Sequence, residues 1–359
     1  MTWELSDLLR AIATTIVIAI HASHHWWFGV NDTVNLSPTI FINTAFNQIG
    51  RFTVPVFVML SGFALVKTEQ KRPFNLITFF QRRLGRILPP YLLFSLLNLV
   101  GQPKINQSSW NECIFQIWQA LITGMADYHL YFLGIIFQCY VFYPLVRHIV
   151  FTPHNLYFLI GSTFTLFSWA WLTRTLGLFP NMQIMLPDGN HLIYWLPYFV
   201  IGVWLAKDNH WIEKLVNRWD SRWWGYLFAI AATIELSEFY YAAVSKNAAE
   251  AVGHYTRPSV FVMSLMFLLW SISWQTWQEQ DFPQSIQFLW RKAQPYIQTF
   301  AQASFTTYLV HVWILRVLDP LEELGDLIFL PLAICLSWLG GVISWQVNQK
   351  FKNIASQRF

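Results

Sequence analysis

The chain has 359 residues, of which 55% are hydrophobic and only 12% are charged. Soluble domains carry about 25% charged residues, so a soluble fold of this composition would expose apolar surface almost everywhere. The net charge of +4 is spread over several segments, so the sequence does not indicate a nucleic-acid-binding patch. The composition predicts an all-α, polytopic integral membrane protein.

Apolar segments of spanning length recur along the whole chain. A membrane-spanning helix needs about 20 mostly apolar residues, and on that criterion the sequence predicts about ten of them. They cover Leu8–Phe28, Thr44–Val66, Leu84–Val100, Tyr128–Val150, Leu156–Leu176, Leu192–Ala206, Trp223–Ala243, Pro258–Trp277, Phe300–Leu318 and Leu327–Val347. The shorter segment Cys113–Met125 is predicted to be interfacial or re-entrant. One membrane domain is expected to fill residues 1–359, without an appended soluble domain.

Basic residues fall mainly on one side of this predicted topology. If the N-terminus is cytoplasmic, the inside loops and helix ends hold most of them, including Arg82, Arg83, Arg86, Arg147, Lys207, Lys214, Arg218, Arg222, Arg291 and Lys292. The outside loops hold only Lys104, Arg174, Lys246 and Arg257. Such a bias is typical of cytoplasmic loops and predicts both termini inside. The three cysteines show no metal-ligand spacing, so no metal is predicted.

The first predicted helix carries polar residues that are expensive inside a bilayer. Arg10 and His21 are eleven residues apart, close to three helical turns, so they share one face about 16 Å apart. His24 and His25 continue that face. Intramembrane charged residues often mark functional sites, although Arg10 as an interfacial anchor and His21 as a structural hydrogen-bonding group are the alternatives.

The second predicted helix and the loop after it supply further candidates. Arg51 precedes a run in which Ser61 and Gly62 permit a close approach of helices or of a ligand. Ser61 is therefore either a packing residue or a reacting hydroxyl. The cluster Arg82, Arg83 and Arg86 lies at the predicted cytoplasmic face. Arginine forks bind phosphate oxygens in pairs, but binding of anionic lipid is the alternative for this cluster.

Polar residues in later helices complete the candidate site. Glu235 and Glu238 can either orient a histidine or form an ion pair with Arg51. Tyr308 and His311 share one helix face because they are three residues apart. All five, with His24 and His25, are predicted to line the substrate path.

These segments together resemble the acyltransferase-3 family of integral membrane acyltransferases, in its short stand-alone O-acetyltransferase form. The similar stretches follow the family order and are Asp7–His21, Val54–Leu65, Arg82–Tyr91, His129–Leu145, Leu196–Ala206 and Ser304–His311. The resemblance implies a ten-helix domain in a bacterial inner membrane. It also implies transfer of an acyl group, commonly acetyl, from cytoplasmic acyl-CoA to a hydroxyl of an extracytoplasmic or lipid-linked carbohydrate. By the same analogy, His21 is the catalytic histidine, Arg10 its companion, and Arg82 and Arg86 the basic motif at the cytoplasmic mouth.

These residues suggest a mechanism in which the acyl-CoA phosphates meet Arg82, Arg83 and Arg86, with Arg10 nearby. His21 acts as a general base on the acceptor hydroxyl, and Ser61, Tyr308 or His24 are candidate donors to the oxyanion. A covalent route through His21 or Ser61 is the alternative. A transporter or flippase for a lipid-linked sugar or small anion is the competing class, because intramembrane charges also mark transport paths.

Overall fold

The structure is a computed structural model. It describes residues 1–23, 38–71, 73–100, 110–124, 126–149, 152–179, 186–207, 210–246, 254–281 and 283–356. Within these ranges the chain is helical and contains no strand, which confirms the predicted fold class. The α-helices, numbered here in chain order, are α1 Trp3–Ala22, α2 Pro38–Ile49, α3 Thr53–Glu69, α4 Leu76–Val100, α5 Trp110–Thr123, α6 Tyr131–Val146, α7 Pro153–Ala170, α8 Leu192–Lys207, α9 His210–Val216, α10 Ser221–Lys246, α11 Pro258–Asp281, α12 Gln284–Leu318 and α13 Asp326–Ser356.

Six helices of the described chain are long and apolar enough to cross a membrane. They are Trp3–Ala22, Ile40–Glu69, Pro153–Thr175, Ser221–Ser245, Pro258–Thr276 and Ile328–Phe351. Two shorter apolar helices, Tyr131–Val146 and Leu192–Lys207, accompany them. The polytopic, helical character is thus confirmed, whereas the number of about ten spans stays a prediction. The two remaining predicted spans lie in α4 and α12, which also carry basic residues.

Helix α1 lies at the centre of the packing and is fixed at its start by a cap. The side chain of Thr2 accepts a hydrogen bond from the Leu5 amide, at 3.3 Å, which satisfies one of the open donors of the first turn. Leu5, Leu9 and Val17 are buried. Contacts with α3, α12 and α13 surround the helix, and its polar residues Ser6 and Thr14 are buried.

Two glycines bring α3 and α8 into close contact. A Cβ atom on Gly62 would overlap the backbone of Phe199, and one on Gly202 would overlap the backbone of Met59. Small residues at such crossings let the helix backbones approach each other, and dispersion contacts then hold the pair together. The predicted close approach at Gly62 is therefore made to another helix of the protein.

Candidate active site

Two histidines from distant parts of the sequence meet inside the helix bundle. His21 lies in the last turn of α1, and His311 lies on α12. Their atoms Nδ1 of His21 and Nε2 of His311 are 2.7 Å apart, and the two rings are stacked with centroids 5.0 Å apart. The structure thus brings together two of the residues predicted for the site.

The hydrogen bonds of His311 assign the protons of this pair. Its Nδ1 lies 2.6 Å from the carbonyl oxygen of Tyr308, which can only accept, so Nδ1 carries the hydrogen. In a neutral ring Nε2 then has no hydrogen and accepts from Nδ1–H of His21. Nε2 of His21 is consequently the basic nitrogen. The ring of His311, which is fixed by its hydrogen bond to the backbone, therefore orients the ring of His21.

A small cavity lies beside His21. It has a volume of about 20 Å³, enough for a single water-sized group. It is lined by Val17, Ile20, His21, Val54, Phe57, His129, Tyr131, Phe132, Tyr255 and Tyr308. The lining is mostly apolar, with imidazole and phenol groups at a few points, as in sites where polar groups fix the orientation of a bound molecule.

The turn before α6 forms one wall of this cavity. Asp127 anchors it, because its Oδ2 accepts a hydrogen bond from Nη2 of Arg316 at 2.7 Å. The hydroxyl of Tyr308 donates to the backbone carbonyl of His129. Tyr128 packs edge-on against His21, with ring centroids 5.1 Å apart. Contacts from α12 thus hold this turn against the His21 ring.

The sequence analysis did not identify His129, Asp127 or Arg316 as site residues. His129 falls inside a stretch that carries the family resemblance, but it lies in a turn, where a polar residue is unremarkable. Arg316 and Asp127 are 189 positions apart, so no local spacing relates them. The only available signal was the set of aromatic and histidine residues at the start of the predicted fourth span.

The other end of α1 lies beside the basic cluster. Arg10 forms an ion pair with Asp7 at 3.2 Å and is within electrostatic range of Arg86. Arg83 interacts electrostatically with Arg82 and Arg86. Arg83 is half-buried, whereas Arg82 and Arg86 are exposed. The predicted companion arginine and the predicted phosphate-binding arginines therefore form one positively charged region.

A cavity adjoins this positively charged region. It has a volume of about 70 Å³ and is lined by Leu65, Thr68, Glu69, Pro73, Phe74, Asn75, Thr78, Phe79, Arg82, Arg83 and Tyr143. The guanidinium of Arg83 lies over the rings of Phe79 and Tyr140, at 5.9 and 5.6 Å from their centroids. Arginine and aromatic faces side by side suit a ligand that is both charged and planar.

Arg51 lies close to the cavity beside His21. Its guanidinium is 4.9 Å from the ring centroid of Tyr255, one of the lining residues. It also donates to Oδ1 of Asn47 at 3.3 Å, and the amide of Asn47 donates to the carbonyl of Ile20 at 3.4 Å. Arg51 is thereby linked to the end of α1 that carries His21.

Glu235 pairs with an arginine that the sequence reasoning had placed in an outside loop. Its carboxylate accepts from Nη2 of Arg257, and both side chains are fully buried. Arg257 also donates to Oε1 of Gln48 at 2.9 Å and to the carbonyl of His254 at 3.1 Å. Burial and the nearby Arg257 lower the pKa of His254 to about 3, so this imidazole is neutral. Glu238 lies three residues further along α10.

The remaining predicted site residues are Ser61, His24 and His25. The hydroxyl of Ser61 donates to the carbonyl of Phe57 at 2.9 Å, and Ser61 is not among the residues that line the cavity beside His21. Its predicted catalytic role stays a prediction. His24 and His25 lie outside the described residues. No group of three or more metal-ligating side chains occurs in the described ranges.

Comparison with known proteins bears on the residues just described. The model of one protein family, described as an acyltransferase domain, matches residues 4–346 of the chain. No curated protein and no solved structure matches it. The matched range begins in α1 and ends in α13, so it includes both histidines and the arginine cluster. The chain belongs to the acyltransferase-3 family of membrane acyltransferases.

Proposed function

We propose that the protein is an O-acyltransferase. It moves an acyl group, with acetyl as the first candidate, from cytoplasmic acyl-CoA to a hydroxyl of an extracytoplasmic or lipid-linked carbohydrate. The hydrogen-bonded pair of His21 and His311 beside a small cavity carries this proposal. Acyl transfer to a hydroxyl needs a base for the hydroxyl proton, and an oriented neutral imidazole is suited to that task.

His21 is the base in this scheme, and His311 is a positioning residue. When Nε2 of His21 takes the hydroxyl proton, the ring becomes an imidazolium. Its Nδ1–H still donates to Nε2 of His311, which stabilises the new charge. The proton then passes to the sulfur atom of CoA as the carbon–sulfur bond breaks, and His21 returns to its starting form.

The arginines are assigned to the nucleotide end of the donor. Arg82, Arg83 and Arg86 present guanidinium groups that can bind the phosphates of CoA in pairs of hydrogen bonds. Arg10 extends this charge towards α1. The distance from Arg10 to His21 along an α-helix is about 16 Å, which the pantetheine arm of CoA would bridge.

Purified protein with acyl-labelled acetyl-CoA tests the proposal. We expect release of free CoA that depends on a carbohydrate acceptor, with the label recovered on that acceptor. His21→Ala should abolish the transfer while leaving the protein folded. Transport of a substrate that survives His21→Ala, without CoA release by the unaltered protein, would instead identify a transporter.

The same preparation separates direct from covalent transfer. Labelled acetyl-CoA is added without acceptor, and the denatured protein is examined for bound label. Direct transfer predicts unlabelled protein. Label that persists in His21→Ala and disappears in Ser61→Ala would assign a covalent intermediate to Ser61.

A further inference from the structure

His129 is a buried imidazole whose ring has no hydrogen-bond partner among the described residues. Its side chain is fully buried, and both Nδ1 and Nε2 lack a partner. The nearest carboxylate oxygen, Oδ2 of Asp127, is 3.8 Å from Nδ1, which is beyond hydrogen-bond distance. That oxygen already accepts from Arg316 at 2.7 Å. A buried N–H without a partner is unfavourable, so a partner from outside the protein is the simplest reason for its presence.

The position of His129 indicates the kind of group that its ring N–H would bind. Its ring lines the cavity that His21 also lines, and it packs edge-on against His311 and Tyr308, at centroid distances of 5.5 and 5.6 Å. The cavity has room for about one oxygen-sized group. A hydrogen-bond acceptor that enters this cavity would therefore lie next to both His21 and His129.

Of the three donors proposed from the sequence for the oxyanion, Tyr308 and Ser61 are otherwise engaged, and His24 lies outside the described residues. The hydroxyl of Tyr308 donates to the carbonyl of His129, and the hydroxyl of Ser61 donates to the carbonyl of Phe57. His21 uses its N–H on His311. Tyr308, Ser61 and His21 therefore each use the hydrogen in question within the protein.

We propose that His129 is a further catalytic residue, which donates its ring N–H to the carbonyl oxygen of the acyl thioester. This inference rests on the proposed acyl transfer. The acceptor hydroxyl oxygen bonds to the carbonyl carbon, its proton moves to Nε2 of His21, and the carbonyl electron pair moves onto the oxygen held by His129. The carbonyl bond then re-forms, the carbon–sulfur bond breaks, and the departing sulfur takes the proton from His21. The products are an ester and the free CoA thiol.

Two substitutions separate this role from a packing role. His129→Phe keeps an aromatic ring of similar size but has no N–H, whereas His129→Gln keeps an N–H but loses the ring. We expect His129→Phe to lower kcat by about 100- to 1,000-fold, as for loss of one oxyanion donor. KM for acetyl-CoA should change by less than about threefold, because the hydrogen bond to the neutral carbonyl is weak and strengthens as charge develops on the oxygen in the transition state. His129→Gln should retain activity within about tenfold of the unaltered enzyme.

A purely structural role predicts the opposite order, with Phe tolerated and Gln harmful. His154→Phe is the matched control, because His154 is an exposed histidine at the start of α7 and should tolerate the change. Near-normal kcat in His129→Phe, with CoA release by the unaltered enzyme intact, overturns the role of His129 and leaves the proposed function standing. Absence of CoA release from the unaltered enzyme instead removes the proposed function itself.

A spectroscopic measurement covers the case in which His129→Phe does not fold. Acetyl-CoA labelled with ¹³C at the carbonyl is bound to His21→Ala, which should not consume it. A hydrogen bond from His129 predicts a lower carbonyl stretching frequency than that of the same thioester in an apolar solvent. An unshifted frequency overturns the inference without any substitution at position 129.

Discussion

At the scale of single residues, the proposed chemistry depends on three imidazoles that the fold gathers from three elements. His21 comes from α1, His129 from the turn before α6, and His311 from α12. Their hydrogen bonds distinguish them: His21 donates from Nδ1, His311 accepts that hydrogen bond, and the ring of His129 has no hydrogen-bond partner within the described part of the chain. Residue type alone does not make this distinction, since all three are histidines.

The role of His311 can be tested by comparing two substitutions. His311→Ala removes the acceptor for Nδ1–H of His21, so the base loses its fixed orientation. We expect kcat to fall by about 10- to 100-fold, with KM for acetyl-CoA nearly unchanged. His311→Gln should recover part of the activity because its amide oxygen can accept the same hydrogen bond. Rates of CoA release give both constants.

Ser304→Ala is the control for this pair, since Ser304 is buried on the same helix and its hydroxyl donates to the carbonyl of Ala301, at 2.7 Å. If His311→Ala raised KM without lowering kcat, a role in donor binding would replace the positioning role.

The spacing of residues along one helix could predict the part of the site that lies on α1. The sequence could not predict which residues from distant parts of the chain pair with that helix. The eleven-residue interval between Arg10 and His21 was readable because both lie on one uninterrupted helix. His311 was recognised as polar and intramembrane, but its pairing with His21 spans 290 positions. Arg257 was predicted to lie in an outside loop; it does precede the helix that begins at Pro258, but the fold buries its side chain beside Glu235. Partners of this kind are set by tertiary packing, which a single sequence does not encode in any local pattern.

At the scale of elements, the helix contacts explain why the site is held in place. Helix α3 supplies Val54 and Phe57 to the cavity beside His21, and its backbone lies against α8 through Gly62 and Gly202. Helix α10 is joined to the segment just before α11 by the buried Glu235–Arg257 pair. The first contact depends on the absence of side-chain atoms at two glycines, so an added methyl group should weaken it. The second contact depends on two opposite charges, so removal of one charge should weaken it.

Gly202→Ala should weaken the contact between α3 and α8. The added methyl group would overlap the backbone of Met59, and overpacking of this kind lowers stability by about 1–3 kcal/mol. Gly161→Ala is the matched control, because a Cβ at Gly161 meets nothing within 4 Å and alanine favours the helix. Thermal unfolding in detergent measures both. A Tm for Gly202→Ala equal to that of the control would show that the helices separate at little cost.

The Glu235–Arg257 pair predicts a non-additive result. Glu235→Gln should lower stability by about 3–5 kcal/mol, because it removes the carboxylate to which the buried guanidinium of Arg257 donates. The double variant Glu235→Leu with Arg257→Met removes both charges and should recover much of that loss. Thermal unfolding of the single and double variants in the same detergent gives the comparison. A double variant less stable than either single one would indicate a role for the charges beyond their mutual pairing.

At the scale of the whole molecule, the basic cluster and the histidines lie at opposite ends of α1. Arg10 is in the N-terminal half of that helix and within electrostatic range of Arg86, whereas His21 is in its last turn. The bias of basic residues in the predicted loops puts the arginine end in the cytoplasm. That orientation remains a prediction. It agrees with the proposed donor, because acyl-CoA is a cytoplasmic metabolite and its phosphates would reach the arginines first.

Arg86→Gln should weaken donor binding more than it slows the reaction. Loss of one charge-assisted hydrogen bond to a phosphate predicts a rise of about tenfold in KM for acetyl-CoA, with kcat little changed. Added salt should raise KM more in the unaltered enzyme than in the variant. Initial rates at low and high salt measure both effects.

Arg222→Gln is the control for the charge itself. Arg222 is exposed and bonded to Asp220 at 2.8 Å, and these hydrogen bonds lower the pKa of Asp220 to about 2, so the pair stays charged at assay pH. An equal rise in KM in both variants would mean that the net charge of the protein, and not the cluster, attracts the donor.

The void beside His21 is about 20 Å³, which is less than a single acetyl group occupies together with an incoming hydroxyl. In the proposed reaction, donor and acceptor would meet there only after surrounding rings such as Phe57 and Phe132 had moved apart. The resting molecule would then keep bulk water away from the proposed base. Thioesters are prone to hydrolysis, so a chamber that widens only when reactants arrive would protect the acyl-CoA supply of the cell from futile cleavage between turnovers.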